Sequence, residues 1–202
     1  TVDVSDPVHP TILAQSSDVA FLAGSVHLIG NLAMASSAGL FRTLLLDMGD
    51  PEDWQILADF NTEDTDGIIH PYYFANTGGK YALYARKDGG GGPMVYDISN
   101  PTLPTPVGYA VAEDGDGGYV FRHKELLFQG ESNYAQIYSF EDPTQIEALG
   151  RVEMAGDVDT MTPIGNVAFV SVDEKDDPGK PTLVFPWDTT PDREAPAIEM
   201  TV

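Results

Sequence analysis

The 202-residue chain carries 32 Asp and Glu against 10 Lys and Arg, a formal net charge of −22, and it contains no cysteine. A field of this sign repels nucleic-acid phosphates, so we expect no nucleic-acid partner, and a chain without thiols has no disulfides, thiolate metal sites or cysteine nucleophiles. Hydrophobic residues make up 42% of the chain, enough for a folded core, but no apolar run approaches the roughly 20 residues of a membrane span, so we expect no membrane insertion.

A short motif recurs along the chain and organises the predicted elements. In each copy an apolar strand leads into Asp or another small polar residue and then Pro, which ends the strand in a turn. The five prolines stand at positions 7, 51, 101, 143 and 191, so the spacings are 44, 50, 42 and 48 residues. This is the length of a four-stranded propeller blade.

The predicted elements divide the chain, in order, into one half-blade and four blades. Residues 1–17 supply only two strands, the half-blade. Each later unit supplies a hairpin, the strand that ends in the motif, and an outer strand; these units are residues 18–66, 67–116, 117–157 and 158–191. The last blade extends to 202 if residues 192–202 form its outer strand, and otherwise they are a linker to a following module.

The hairpins are predicted in residues 29–35, 78–84, 122–128 and 164–170, and two of them carry a Gly-Asn turn pair. None of the apolar runs keeps a helical period over a dozen residues. The sequence therefore predicts an all-β chain of β-propeller blades, built from four-stranded antiparallel repeats of about 42–50 residues.

The third copy of the motif, Met94 to Tyr109, begins Met-Val-Tyr-Asp-Ile-Ser-Asn-Pro. It resembles the LVIVD-repeat family, whose consensus strand Leu-Val-Ile-Val-Asp is followed by Ile-Ser-Asn-Pro. The first copy matches nearly as well, whereas the others depart from the pattern, as where Met48-Gly49 replaces the Ile-Ser pair. The resemblance covers nearly the whole chain and implies a β-propeller of a bacterial or archaeal secreted or cell-surface protein, used as a module with no assigned catalysis.

Four and a half blades do not obviously close a ring, and an open propeller leaves strand edges exposed. We therefore expect the ring to be completed by missing sequence or by another chain. The chain begins with Thr1 rather than methionine, so we also expect a processed chain or a fragment of a larger protein.

Acidic loops that contain glycine are the candidate metal site. They lie in residues 61–67, 113–118 and 173–179. Calcium takes six to eight oxygen ligands from flexible loops, but none of these loops has the twelve-residue calcium pattern with its closing Glu, so simple solvated loops are the competing interpretation. The candidate calcium ligands are Asp64, Asp66, Asp114 and Asp116.

Other chemistry is weakly supported by the sequence. The histidines are His9, His27, His70 and His123, and no two have the spacing of metal ligands. Gly89–Gly92 has no phosphate-loop Lys after it, so it predicts a long flexible hairpin loop and a poor nucleotide site. The tyrosines of the strands, including Tyr81, Tyr84, Tyr134 and Tyr138, are expected to pack between blades.

The function predicted first is a non-enzymatic extracellular or cell-surface module that binds a protein or carbohydrate partner. The first alternative is a hydrolase or lyase with a site in the central channel, near His70, His123 and Asp159. The second is a structural or adhesive segment stabilised by calcium. No cofactor other than calcium is expected.

Overall fold

The computed structural model describes residues 1–15, 23–37, 42–62, 75–87, 90–173 and 182–187. β-Strands are the only regular secondary structure in these ranges, which confirms the all-β prediction. The strands are β1 (Val2–Asp3), β2 (Thr11–Ile12), β3 (Ala23–Ile29), β4 (Leu32–Ser37), β5 (Arg42–Asp47), β6 (Gln55–Asn61), β7 (Ala75–Gly78), β8 (Tyr81–Ala85), β9 (Pro93–Asp97), β10 (Thr105–Tyr109), β11 (Gly117–His123), β12 (Leu126–Glu131), β13 (Tyr134–Ser139), β14 (Glu147–Glu153), β15 (Asp157–Ile164), β16 (Val167–Asp173) and β17 (Leu183–Pro186). No helix that could cross a membrane occurs in the described part of the chain.

Each blade is an antiparallel sheet whose strands pair in chain order. Blade 1 is β3 to β6, blade 2 is β7 to β10, and blade 3 is β11 to β14. Blade 4 has the three described strands β15 to β17, and its first strand meets blade 3 through one parallel pair, Tyr119 with Thr160. Within the described residues the strands β1 and β2 pair with each other in a two-stranded sheet, at the position of the predicted half-blade.

Each of the four predicted hairpins is present, with a two-residue turn between the first and second strands of its blade. The first turn residue has a positive φ in every case, and three of the four are glycine: Gly30 at 58°, Gly79 at 69° and Gly165 at 61°. The fourth is Lys124, with φ of 53°. Only glycine adopts this conformation without steric cost, so the blade 3 hairpin carries local strain.

We expect Lys124→Gly to stabilise the chain by about 1 kcal/mol and Gly30→Ala to destabilise it by a similar amount. A Cβ at Gly30 would meet no atom within 4 Å, so its effect comes from the backbone alone. Thermal unfolding of the two variants measures this. If both variants shift the midpoint in the same direction, the turn assignment is wrong.

The Asp-to-Pro motif is held by hydrogen bonds from backbone amides to short polar side chains. Asp142 Oδ1, for example, accepts from the Thr144 amide at 2.9 Å. The same bond, two residues apart, occurs at Asp6, Asp50 and Asn100. Three residues before these, Asp3, Asp47 and Asp97 accept amide hydrogen bonds at 2.8 Å. The repeat therefore needs Asp or Asn here because these side chains cap the turn.

Three apolar clusters fill the spaces between neighbouring blades. Between blades 1 and 2 the cluster includes Met34, Leu45, Ala82, Tyr84 and Met94. Between blades 2 and 3 it includes Leu83, Val95, Val120, Leu127 and Tyr138. Between blades 3 and 4 it includes Phe128, Ala135, Val158, Met161 and Val170. Tyr81, Tyr84, Tyr134 and Tyr138 are all buried, which confirms that they pack in the core.

Candidate functional site

The first strands of the four blades lie next to one another. Strand β3 contacts β7, β7 contacts β11, and β11 contacts β15. Two glycines bring β15 close to blade 3, because a Cβ at Gly118 or Gly130 would overlap the carbonyl oxygens of Asp159 and Val158. The four strands therefore surround a common space, the position of the central channel in a propeller.

A cavity of about 390 Å³ opens in this space. Its lining comes from all four blades: Ser25, Val26, His27, Asn76, Tyr119, Phe121 and Thr160. The volume falls within the range of small-molecule pockets, roughly 300 to 1,000 Å³. We call this cavity the channel pocket.

Blades 1 and 2 contribute polar groups to the channel pocket. The Ser25 side chain is 9% exposed, and its Oγ has no hydrogen-bond partner among the described residues. His27, two residues further along β3, is half-buried. Asn76 is held in place, since its Nδ2 donates to the Val120 carbonyl at 3.1 Å and its Oδ1 accepts from the Thr77 amide at 2.8 Å. Asn76 thus fixes the wall between blades 2 and 3.

Blade 3 contributes the aromatic wall of the channel pocket. Tyr119 and Phe121 lie two residues apart on β11, so both side chains point to the same face of the sheet. Their ring centroids are 6.3 Å apart and the rings are tilted by 41°. Both side chains are half-buried. None of the described lining residues is Asp, Glu, Lys or Arg, although 21% of the chain consists of these residues. The described part of the pocket therefore presents aromatic, hydroxyl, amide and imidazole groups.

A second polar cluster is buried between blades 2 and 3, around Glu131 on β12. Glu131 is fully buried, and its Oε1 accepts hydrogen bonds from the Gly92 amide at 2.8 Å and from the Tyr138 hydroxyl at 2.9 Å. Its Oε2 has no partner among the described residues. Arg86 fixes the backbone beside Glu131, because its Nη1 donates a hydrogen bond to the Gly91 carbonyl at 3.0 Å. We call this group of residues the Glu131 cluster.

Burial raises the pKa of Glu131 from 4.5 to about 8, although the hydrogen bonds from Tyr138 and Gly92 act in the opposite direction. The nearby charges of Asp116 and Asp114 add to the increase. Glu131 is therefore mostly protonated at pH 7, and its Oε1 accepts two hydrogen bonds. The cluster joins two blades and is closely filled, since a Cβ at Gly91 or Gly115 would overlap Oε2.

The structure describes two of the four candidate calcium ligands, Asp114 and Asp116. Asp64 and Asp66 fall outside the described residues. Asp114 accepts from the Tyr134 hydroxyl at 2.9 Å through Oδ1 and from Arg151 Nη1 at 2.8 Å through Oδ2, and Arg151 lowers the pKa of Asp114. Asp116 lies 3.5 Å from Lys87 Nζ. Among the described residues no three His, Asp or Glu side chains are grouped as metal ligands, and the calcium site stays a prediction.

Of the residues named for a channel enzyme, the structure describes His123 and Asp159. His70 lies outside the described residues. His123 ends β11 and contacts the Trp187 ring edge-on at 5.4 Å between centroids. Asp159 lies on β15 and has interactions of its own.

The prediction of a flexible loop at residues 89–92 is wrong for Gly91 and Gly92. Gly91 is paired with Ala112 in a β-bridge, and both Gly91 and Gly92 are buried. The reason is the neighbouring strand: the loop packs on Glu131, which accepts the Gly92 amide. Glycine is needed here because a side chain at Gly92 would overlap the Ala110 carbonyl.

Sequence reasoning named the central channel as an alternative site but not the group of residues that lines the channel pocket, and it missed the Glu131 cluster. The signal for the cluster is Gln129-Gly130-Glu131, three residues without apolar side chains that continue the apolar run Leu126-Leu127-Phe128. A polar interruption of a buried strand indicates partners from elsewhere in the fold. The channel pocket has no such signal, because its residues come from four separate parts of the chain.

Comparisons with solved structures find the same fold at low sequence identity. The chain is similar to the computationally designed Ika4 protein, with a TM-score of 0.62 and 12% identity over 87% of this chain and 97% of that chain. It is also similar to a chain of the nidogen/laminin complex, with a TM-score of 0.55 and 14% identity over 81% of this chain and 60% of that chain. The β-propeller domain of Cps50 (Swd1) from Myceliophteria thermophila gives a TM-score of 0.54 and 12% identity over 80% and 57% of the two chains.

The chain thus spans less than two thirds of the length of the nidogen/laminin and Swd1 chains that it matches. No family model matches the chain, so membership of the LVIVD-repeat family stays a prediction. A search of curated proteins also finds no match. The strand pairing, the convergence of the inner strands and these neighbours together establish that the chain forms blades of a β-propeller.

Proposed function

We propose that this chain is a non-catalytic β-propeller module that binds its partner at the channel pocket, as part of a secreted or cell-surface protein. The observation that carries the proposal is the channel pocket itself, a cavity of about 390 Å³ whose lining is contributed by all four blades. A ligand there contacts four rigid sheets at once, and sites built on rigid elements are well ordered before binding.

The composition of the pocket supports binding rather than catalysis. Its polar groups are hydroxyl, imidazole and amide groups from all four blades, and its described lining contains no carboxylate that would activate them. The similar solved structures include a nidogen/laminin complex and the β-propeller domain of Swd1. The net charge of −22 and the resemblance to surface repeat proteins support a location outside the cell.

The proposal is tested by closing the channel pocket. The chain has no cysteine, so Val26→Cys gives a single thiol at an exposed position of the pocket lining, to which a bulky maleimide can be attached. Leu149→Cys, on the exposed outer strand β14, is the matched control. We expect peptides selected from a random library against the unmodified chain to lose binding to the Val26 adduct and to keep it with the Leu149 adduct. Equal binding to both adducts would place the binding surface elsewhere.

A further inference from the structure

The residues that line the channel pocket indicate which class of ligand it binds. We propose that it binds a neutral saccharide, with one face of a pyranose ring against Tyr119 and Phe121 and the hydroxyl groups directed to the polar residues of blades 1, 2 and 4. This inference rests on the proposed binding function and names the class of ligand.

The described lining disfavours ionic ligands. None of its seven described residues is Asp, Glu, Lys or Arg, so an ionised ligand would lose its hydration and meet at most the imidazole of His27 as a countercharge. An anion would also be repelled by the net charge of −22. The favoured ligand therefore has no net charge.

The aromatic side chains of the pocket favour a ligand with a flat apolar face. Tyr119 and Phe121 present half-buried rings on one side of the pocket. Aromatic rings bind flat apolar surfaces, and the carbon-bound hydrogens on one face of a pyranose form such a surface. The volume of about 390 Å³ admits a ligand of one or two sugar rings.

The Ser25 hydroxyl, which has no hydrogen-bond partner in the part of the chain that the structure describes, favours a ligand that carries hydroxyl groups. A buried hydroxyl without a hydrogen-bond partner destabilises the free protein, and a ligand that supplies the missing hydrogen bond removes this penalty. Ser25 Oγ is in that situation, and Thr160 and His27 offer further hydrogen-bonding groups in the same lining. A saccharide has hydroxyl groups around the whole edge of its ring, so it can meet groups from three blades at once.

The test uses methyl glycosides of glucose, galactose and mannose, with maltose, cellobiose and lactose, and glucuronic acid as the charged comparison. Saturation-transfer NMR and calorimetry measure binding to the full chain. We expect at least one neutral sugar to bind and glucuronic acid not to bind. We expect Ser25→Ala to weaken that binding by about fivefold to tenfold, because one hydrogen bond is lost. Tyr119→Leu should weaken it at least as much, whereas Tyr109→Leu, on the exposed outer strand β10, should not.

Stability provides a second readout for the same variants. Because the Ser25 hydroxyl has no hydrogen-bond partner among the described residues, Ser25→Ala should leave the unfolding midpoint unchanged or slightly raised while it weakens sugar binding. If no sugar of the panel binds while selected peptides remain sensitive to the Val26 adduct, the saccharide proposal falls and the binding function stands. If neither sugars nor peptides respond to the adduct, both fall. Sugar binding that Ser25→Ala and Tyr119→Leu leave unchanged also overturns the saccharide proposal.

Discussion

Glu131→Gln should remove most of the loss of stability that the wild-type chain shows as pH rises from 5 to 8. In the unfolded chain Glu131 releases its proton near pH 4.5, whereas in the folded chain it keeps the proton up to about pH 8. Between these two values the folded state binds more protons than the unfolded state, so the free energy of unfolding falls as pH rises. The loss is on the order of 5 kcal/mol across this range, and it levels off above pH 8.

Glutamine keeps the acceptor oxygen for the Gly92 amide and the Tyr138 hydroxyl but has no proton to release. The variant should therefore be much more stable than the wild type at pH 8 and similar to it at pH 5. The groups that face Glu131 are Asp114, Asp116, Arg86 and the hydroxyls of Tyr134 and Tyr138.

Urea unfolding followed by tryptophan fluorescence at several pH values measures the effect. Glu147→Gln, at an exposed position on β14, is the matched control and should follow the wild-type curve. Parallel pH profiles for the wild type and Glu131→Gln would show that Glu131 is ionised in the folded chain, against the present account.

Phe128→Ala should destabilise the chain by about 3 to 5 kcal/mol. Phe128 is fully buried on β12, in the apolar cluster between blades 3 and 4, and the Trp187 ring meets it edge-on at 5.3 Å between centroids. Its removal leaves a cavity where blade 4 packs on blade 3, and the surrounding sheets can close that cavity only in part.

Phe169→Ala is the matched control, because Phe169 lies on β16 of blade 4 with 37% of its surface exposed. Its loss should cost clearly less, about 1 kcal/mol. Equal losses for the two variants, measured by urea unfolding, would mean that Phe128 does not lie in a cluster between the blades.

The local parts of the fold can be predicted from the sequence because short-range interactions determine them. The turn at Gly30-Asn31 follows from a glycine that tolerates positive φ. The turn at Asp142-Pro143 follows from the Asp142 side chain, which accepts a hydrogen bond from the Thr144 amide. Each of these features involves residues within about five positions of one another. Their regular recurrence then predicts the blades.

The candidate site depends on contacts that the sequence does not show. Asp114 looks like a calcium ligand in its acidic loop, yet its carboxylate meets Tyr134 and Arg151, which lie 20 and 37 residues further along the chain. Glu131 looks like an ordinary surface acid until the Gly92 loop of the neighbouring blade covers it. Ser25 and Thr160 become neighbours of one pocket only when blades 1 and 4 converge. Such contacts follow from the packing of the blades, which no local pattern encodes.

The most direct test of the account asks whether blades 1 and 4 meet at one pocket. Because the chain has no cysteine, spin labels can be placed on Val26→Cys and Thr160→Cys, and pulsed electron paramagnetic resonance measures the distance between them. We expect a single short distance for this pair, and a longer one for labels on the exposed residues Ile56 and Leu183 of the same two blades. A long or broad distribution between positions 26 and 160 would mean that the four inner strands do not surround a common channel pocket.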